Sequence, residues 1–410
     1  MKCKFCDTKI EDITFNLGNT AISNNLILPE DLFVVENTYP LVLYTCPSCF
    51  LVQIDEQLDG ADIFNENYVY FSSASKYWLN HAKKYCSEIT AQLSLNEDSF
   101  VVEIASNDGY LLQNFVENKI RCLGIEPTKS TAHDAMLKGI PTLVDFFNKN
   151  TAKNLADTAE LADLIIANNV LAHVPDINDF VASFKILLKS EGTITIEFPH
   201  LLKLVKYNEF DTIYHEHFFY FSLFTLRQIF KKHNLSIYDV EELETHGGSL
   251  RVYIAHEESF LNKNANKDNV KSILNEEYRH NINTSNCYKS IKENAFKIKL
   301  IALKYLVDQK SSGKSIAAFG AAAKGNTFLN YIGIKNDIID FVVDETPYKI
   351  EKYMPQSKIP IVNFDRIELE KPEIIIILPW NHKKEIIEKL QFTKDWGAKL
   401  VTFIPELEIL

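Results

Sequence analysis

Two stretches of this 410-residue chain share one build. In "SFVVEIASNDGYLLQNF" and in "SIAAFGAAAKGNTFLNYI" an apolar strand runs into a turn of small residues and then into an amphipathic helix. Each opens a series. The first continues through "RCLGIEPT", "GIPTLVDFF", "ADLIIANNVLAHV" and "GTITIEFP", the second through "IIDFVVDET", "IPIV", "PEIIIILPW" and "LVTFIPEL". Strands that are apolar throughout, rather than on alternate residues, are buried on both faces and need helices above and below. Strands alternating with helices indicate parallel sheets. The pattern predicts an α/β chain with two doubly wound domains, over residues 76–250 and 251–410. Polar and then helical sequence over 262–309 reads as one or two long helices leading away from the first. No low-complexity linker separates the parts, so close packing is expected.

Residues 1–75 do not follow this rhythm. They hold two C-x-x-C pairs, "CKFC" (Cys3, Cys6) and "CPSC" (Cys46, Cys49), with 39 residues between them. Four thiolates so paired suit tetrahedral Zn²⁺ and leave no open position for chemistry. A redox C-x-x-C would stand at the start of a helix inside a βαβ unit, and neither pair does. Short strands and loops lie between the pairs, as in "FVVENTYPLVLYTC". A core this small needs a staple. The segment reads as a small N-terminal zinc-binding domain.

The seven cysteines are an odd number, and the N-terminus has no apolar signal-peptide core, which argues against a disulfide framework. The net charge of −12 argues against non-specific nucleic-acid binding, which needs a basic surface. No apolar run reaches the roughly 18 residues of a membrane span. The expectation is a cytoplasmic protein, monomeric or weakly oligomeric, with no nucleic-acid or membrane partner.

Chemistry gathers at the strand ends, where doubly wound folds bind ligands. The strand ending in Glu103 enters a turn of Ala105, Ser106, Asn107, Asp108 and Gly109, whose small residues let a ligand approach the backbone. The next strand ends in "GIEP", with Glu126 and Pro127, and an acid there can take two ribose hydroxyls. This order is that of S-adenosylmethionine methyltransferases and differs from the dinucleotide G-x-G-x-x-G. An ordinary tight turn would also fit it. "NNVLAHVPD" brings Asn168, Asn169 and His173 to the same edge.

"DTIYHEHFFYFS" (211–222) crowds Tyr214, His215, Glu216 and His217 together. A metal site would lack an obvious third ligand. A general base is better motivated, because a histidine beside a carboxylate is oriented and kept basic near neutral pH. Tyr214 can hydrogen-bond a carbonyl or a developing oxyanion. A satisfied structural loop is the remaining alternative. In the last domain, "FGAAAKGNTFLNYIG" places Lys324, Gly325, Asn326 and Thr327 at a helix start, which suits a phosphate or pyrophosphate. "YVYFSSASKYW" (68–78) and "THGGSLRV" (245–252) also stand out, although either could be a plain turn.

Taken in order, the paired C-x-x-C motifs, "EIASNDGYLL", "NNVLAHVPD", "YHEHFFYFS", "HGGSLRV", "GAAAKGNT" and "LPWN" resemble the sugar C-methyltransferases that branch nucleotide-linked deoxysugars. The likeness runs over nearly the whole chain. It implies a zinc-binding domain, an S-adenosylmethionine-dependent methyltransferase domain and a C-terminal Rossmann-like domain that binds the nucleotide sugar. It also implies a keto sugar carried on a nucleoside diphosphate, with His217 as base and Tyr214 and Glu216 as its partners. Tyr68 or Tyr70 and His173 would stand nearby. Ala105 occupies the place where many such enzymes have the first glycine of the turn.

The chemistry agrees with the resemblance. A ketone acidifies the neighbouring C–H, a base removes that proton, and the carbanion attacks the sulfonium methyl. Such a site needs a base, an oxyanion partner and a positioned cofactor. Rival readings are O- or N-methylation of a similar sugar, an NAD-dependent nucleotide-sugar oxidoreductase or epimerase, and a zinc-anchored scaffold with degenerate sites.

Overall fold

The computed structural model describes residues 1–57, 71–74, 76–158 and 160–410. Tyr68 and Tyr70 lie outside the described residues. Among the described residues the strands form three sheets.

The N-terminal sheet is antiparallel: β1 (Ile13–Thr20), β2 (Tyr39–Thr45) and β3 (Val52–Ile54), with β9 (Phe219–Tyr220) added at its edge. β9 comes from the middle of the chain. It pairs with β3 through Val52↔Tyr220 and Gln53↔Phe219, two residues beyond His217. The zinc-binding part therefore shares a sheet with the "YHEHFFY" segment.

The middle sheet comprises β4 (Phe100–Ile104), β5 (Arg121–Ile125), β6 (Thr142–Leu143), β7 (Ala162–Asn168), β8 (Leu188–Pro199), β10 (Leu235–Leu243) and β11 (Ser249–His256). Its order is β10-β11-β8-β7-β4-β5-β6. β4 to β8 are parallel, as the alternating pattern implied. β11 runs antiparallel between β8 and β10, so the sheet is mixed. The reason is the short turn between β10 and β11, because a parallel pair needs a crossover of a dozen or more residues. Position 250, at the expected domain boundary, lies inside β11.

The C-terminal sheet follows the same plan, with β12 (Ile316–Phe319), β13 (Phe341–Val343), β14 (Ile361–Val362), β15 (Ile374–Ile377), β16 (Lys399–Thr402) and β17 (Glu408–Ile409). Its order is β14-β13-β12-β15-β16-β17, parallel except for β17. Strand order reverses next to β4 in the middle sheet and next to β12 in the last one. Ligands bind at such switch points, beyond the strands' carboxyl ends. The 27-residue helix Ser285–Ser311 spans from β1 to the C-terminal domain. One continuous apolar core takes in Leu41 and Leu43 of the N-terminal part, Ile194 and Phe210 of the middle and Ile316 and Phe328 of the last. No helix among the described residues is long and apolar enough to cross a membrane.

Candidate active site

The three parts meet around a cleft of about 1680 Å³. Its walls include Ala105, Asn107, Glu126, Pro127 and Asn168 at one end, and His173, Tyr214, Glu216 and His217 along the middle. Ala321–Lys324, Lys349 and Lys352 line the other end.

At the first end the turn after β4 is wound tightly. Ala105, Asn107 and Gly109 all have positive φ (54°, 53° and 75°). Glycine occupies such positions without strain, and asparagine tolerates them. At Gly109 a Cβ would stand 2.2 Å from Ile140 Cδ1 and 3.3 Å from Ala135 Cβ, so a side chain there would have to displace Ile140. Glu126 caps the turn: its carboxylate accepts from Asn107 N and Thr128 N, both at 2.9 Å. Among the described residues Asn168 Oδ1 is buried without a hydrogen-bond partner, a polar atom facing the cleft that a ligand donor would satisfy. These features fit a nucleoside ligand with ribose hydroxyls. Glu103, Ser106 and Asp108 do not line the cleft. Burial, with Glu126 and Asp108 nearby, raises the Glu103 carboxyl well above its ordinary range. Ser106 is buried against Gly124, and Asp108 pairs with Lys138 at 3.2 Å.

In the middle, His217 Nε2 and Tyr214 Oη are 2.9 Å apart, and the His217 and His173 rings lie 4.6 Å centre to centre. His217 also hydrogen-bonds to the Thr212 carbonyl. Burial, then the facing His173, His246 and Lys324, hold its pKa well below the ordinary histidine value. Burial likewise lowers His173 to about 4. Both rings are neutral near pH 7 and can accept a proton. Glu216 does not hydrogen-bond to His217, as the adjacent positions suggested. Its carboxylate turns to the Asn24 amide, at 2.7 and 2.9 Å. His215 points the other way, with Nε2 3.2 Å from the Pro40 carbonyl and its ring edge-on to Tyr39. The two histidines thus face different surroundings.

At the far end Lys324 Nζ donates to the His246 carbonyl at 3.3 Å and to Asn381 Oδ1 at 3.4 Å, and lies 4.8 Å over the Trp380 ring. Asp211 accepts from Trp380 Nε1 at 2.8 Å. Gly325, Asn326 and Thr327 do not reach the cleft. A Cβ on Gly325 would meet Leu378 at 2.8 Å, Asn326 is fully buried, and Thr327 donates to the Ile213 carbonyl at 3.1 Å. Thr327 thereby ties the last domain to the loop that carries Tyr214. Sequence reading set the stretch "THGGSLRV" apart but gave no role to His246, which lies on the short turn Thr245–Gly247 and lines the cleft. The signal was a histidine before two glycines between strands.

Among the described residues one group of three or more metal-ligating side chains stands together: Cys3, Cys6, Cys46 and Cys49, with sulfurs all within 4.8 Å of one another. Backbone N–H groups of Phe5 and Cys6 point at Cys3 and help to lower its pKa, whereas at Cys46 burial raises the thiol and the N–H groups of Ser48 and Cys49 offset only part of it. The donor set fits one tetrahedral Zn²⁺.

Three family models match the chain in succession. They are a putative zinc binding domain over 3–64, a methyltransferase domain over 77–240 and a C-methyltransferase C-terminal domain over 244–405. With the mixed sheet and its cleft, they define an S-adenosylmethionine-dependent C-methyltransferase carrying an N-terminal zinc-binding domain. Over its full length the chain is similar to the C-methyltransferase NovU of Streptomyces niveus, at 29% identity across 411 residues, covering 100% of this chain and 96% of NovU. Solved structures are similar over about half of the chain. A possible histamine N-methyltransferase of Thermotoga maritima is 21% identical, with a TM-score of 0.36, covering 49% of this chain and 100% of that one. Magnesium protoporphyrin IX methyltransferase of Synechocystis PCC 6803 is 14% identical, with a TM-score of 0.33, covering 48% and 88%.

Proposed function

We propose that the enzyme methylates the carbon beside the ketone of a nucleoside-diphosphate-linked keto-deoxysugar, with His217 as the base. The observation that carries this reading is the His217 Nε2–Tyr214 Oη pair, at 2.9 Å, in one cleft with both the 105–109 turn and the start of the helix Ala323–Ile332. S-adenosylmethionine supplies an electrophilic methyl group. The chain must supply the base, a partner for the oxygen and alignment. The C–H proton passes to Nε2 of the neutral His217. The C–H electron pair becomes the enolate C=C, and the carbonyl π pair moves onto oxygen. Protonation turns Nε2 from acceptor to donor and releases the Tyr214 hydroxyl hydrogen toward that oxygen. His173 packs the base from the side.

The carboxylate of Glu126 takes the ribose hydroxyls of the cofactor, and Pro127, Asn168 and the backbone of Ala105 and Asn107 complete its site. The diphosphate lies against the last domain, near Lys324, Lys352 and the backbone of Ala321 to Ala323. Binding energy from the remote nucleotide then positions the reacting carbon. Mass spectrometry of reactions with nucleotide-linked keto sugars in deuterated water tests this. We expect the methyl group on carbon, with loss of the neighbouring proton. Methyl transfer to oxygen or nitrogen without that loss would defeat the reading. Equal turnover of a free keto sugar would defeat the nucleotide part.

A further inference from the structure

His246 stands on the turn between β10 and β11, where three successive residues have positive φ: His246 (55°), Gly247 (95°) and Gly248 (131°). Glycine holds such a backbone freely, whereas a histidine there is strained. Strain of this kind persists only where the surroundings over-determine it, and it gathers at functional sites. Here the surroundings are built from all sides. Thr245 Oγ1 donates to Glu197 Oε1 at 2.9 Å, and Glu197 is itself held by His81 (2.9 Å) and Arg251 (3.0 Å). Lys324 donates to the His246 carbonyl. Behind it, a Cβ on Gly247 would meet the Trp380 ring at 2.6 Å.

What this brace presents is an imidazole on the wall of the cleft that holds His217. Its ring contact is with Trp78, at 5.0 Å, and among the described residues its nitrogens hydrogen-bond to no side chain. We propose that His246 is a further catalytic residue, whose ring N–H hydrogen-bonds to the substrate oxygen on which negative charge develops. This rests on the enolisation reading above. Burial, followed by the charge of Lys324, keeps the ring neutral, with a pKa of about 3. A neutral imidazole gives one N–H to an oxyanion without putting a second positive charge beside the base. The proton balance is unchanged: His217 takes the proton, and His246 keeps its own.

Two substitutions separate this role from packing. His246→Gly removes the ring and the backbone strain, whereas His246→Phe keeps the bulk against Trp78 but donates nothing. We expect kcat to fall about 10²-fold or more in both, the usual loss when one oxyanion donor is removed. KM for the sugar nucleotide should stay within about threefold, as for an interaction made in the transition state. His246→Gly should melt no lower than the wild type. If both variants retain kcat within about threefold of a wild type that methylates carbon, the ring is only packing and the proposal is overturned. If the wild type itself methylates oxygen or nitrogen, the enolisation reading falls and takes this one with it.

Discussion

The carboxylate of Glu216, next to the base, is held by the amide of Asn24, a residue of the zinc-binding part, at 2.7 and 2.9 Å. Together with the β3–β9 pairing and the His215–Pro40 bond, it fastens the loop bearing Tyr214 and His217 to the N-terminal sheet. Asn24→Ala leaves a buried carboxylate without these donors, which typically costs about 1–3 kcal/mol. We expect a lower melting temperature by calorimetry and a higher KM or lower kcat as the loop loosens. Unchanged values of all three would mean that solvent replaces the Asn24 amide fully.

Glu216 should also make stability depend on pH. Burial raises its pKa from 4.5 to about 7. The folded form thus holds this proton more tightly than the unfolded chain. The resulting stabilisation is complete below pH 4.5 and is lost as pH rises through about 7. Glu216→Gln removes that dependence. The melting temperature of the variant minus that of the wild type should grow in the variant's favour between pH 5 and pH 8. A difference that stays flat would place the titration of Glu216 at its ordinary value.

Zinc should matter to catalysis as well as to folding. Cys49, one of the four cysteines of the metal cluster, accepts at its carbonyl from Thr225 Oγ1 (3.1 Å) and Gln228 Nε2 (3.3 Å) of the middle domain. Chelation, or Cys46→Ser, should release about one Zn²⁺ per chain and lower stability. It should also lower kcat in the fraction that stays folded, because the base loop loses its support. Metal analysis paired with turnover per folded molecule checks both. Full turnover of metal-free folded protein would confine zinc to stability.

Glu126→Ala should weaken S-adenosylmethionine binding about tenfold to a hundredfold, the equivalent of roughly 1–3 kcal/mol for an unmatched buried group. The same change frees Asn107 N and Thr128 N, so some loss of stability should accompany it. Glu126→Gln keeps one acceptor oxygen and should lose less of both. Isothermal titration calorimetry with the cofactor decides it. Undiminished affinity in Glu126→Ala would move the ribose elsewhere.

Much of this arrangement was legible in the chain because it depends on local chemistry. The C-x-x-C pairs declared a metal cluster, and the strand–turn–helix at 100–117 declared a switch-point crevice. What escaped depends on which way a helix or loop is turned. Lys324 faces the cleft while Asn326, two residues on, is fully buried. No spacing rule distinguishes them until the neighbouring domain is known. Glu216 looked like a partner of His217 because the two are adjacent, but successive side chains in that loop diverge, and its partner lies 192 positions away. The strand β9 escaped because two residues carry no periodicity, and its sheet partner is in another domain.

The base itself is the most direct test. His217→Asn keeps a polar side chain of similar reach to the Thr212 carbonyl but has no basic nitrogen. General-base catalysis typically contributes about 10²–10⁴-fold, so kcat should fall by that much. Cofactor affinity should hardly change, since the residues around Ala105 and Glu126 are untouched. Tyr214→Phe should cost less, because the imidazole keeps its own basicity when the 2.9 Å hydrogen bond is removed. His215→Asn, whose ring faces Pro40 and not the cleft, should act on stability more than on kcat. Hydrogen exchange sharpens the comparison. In deuterated water without a methyl donor, wild-type enzyme that exchanges the proton beside the ketone should lose that exchange in His217→Asn and retain it in His215→Asn. If His217→Asn exchanges and turns over like the wild type, the proton goes to another base, and His173, whose ring lies 4.6 Å away, is the group placed to take it.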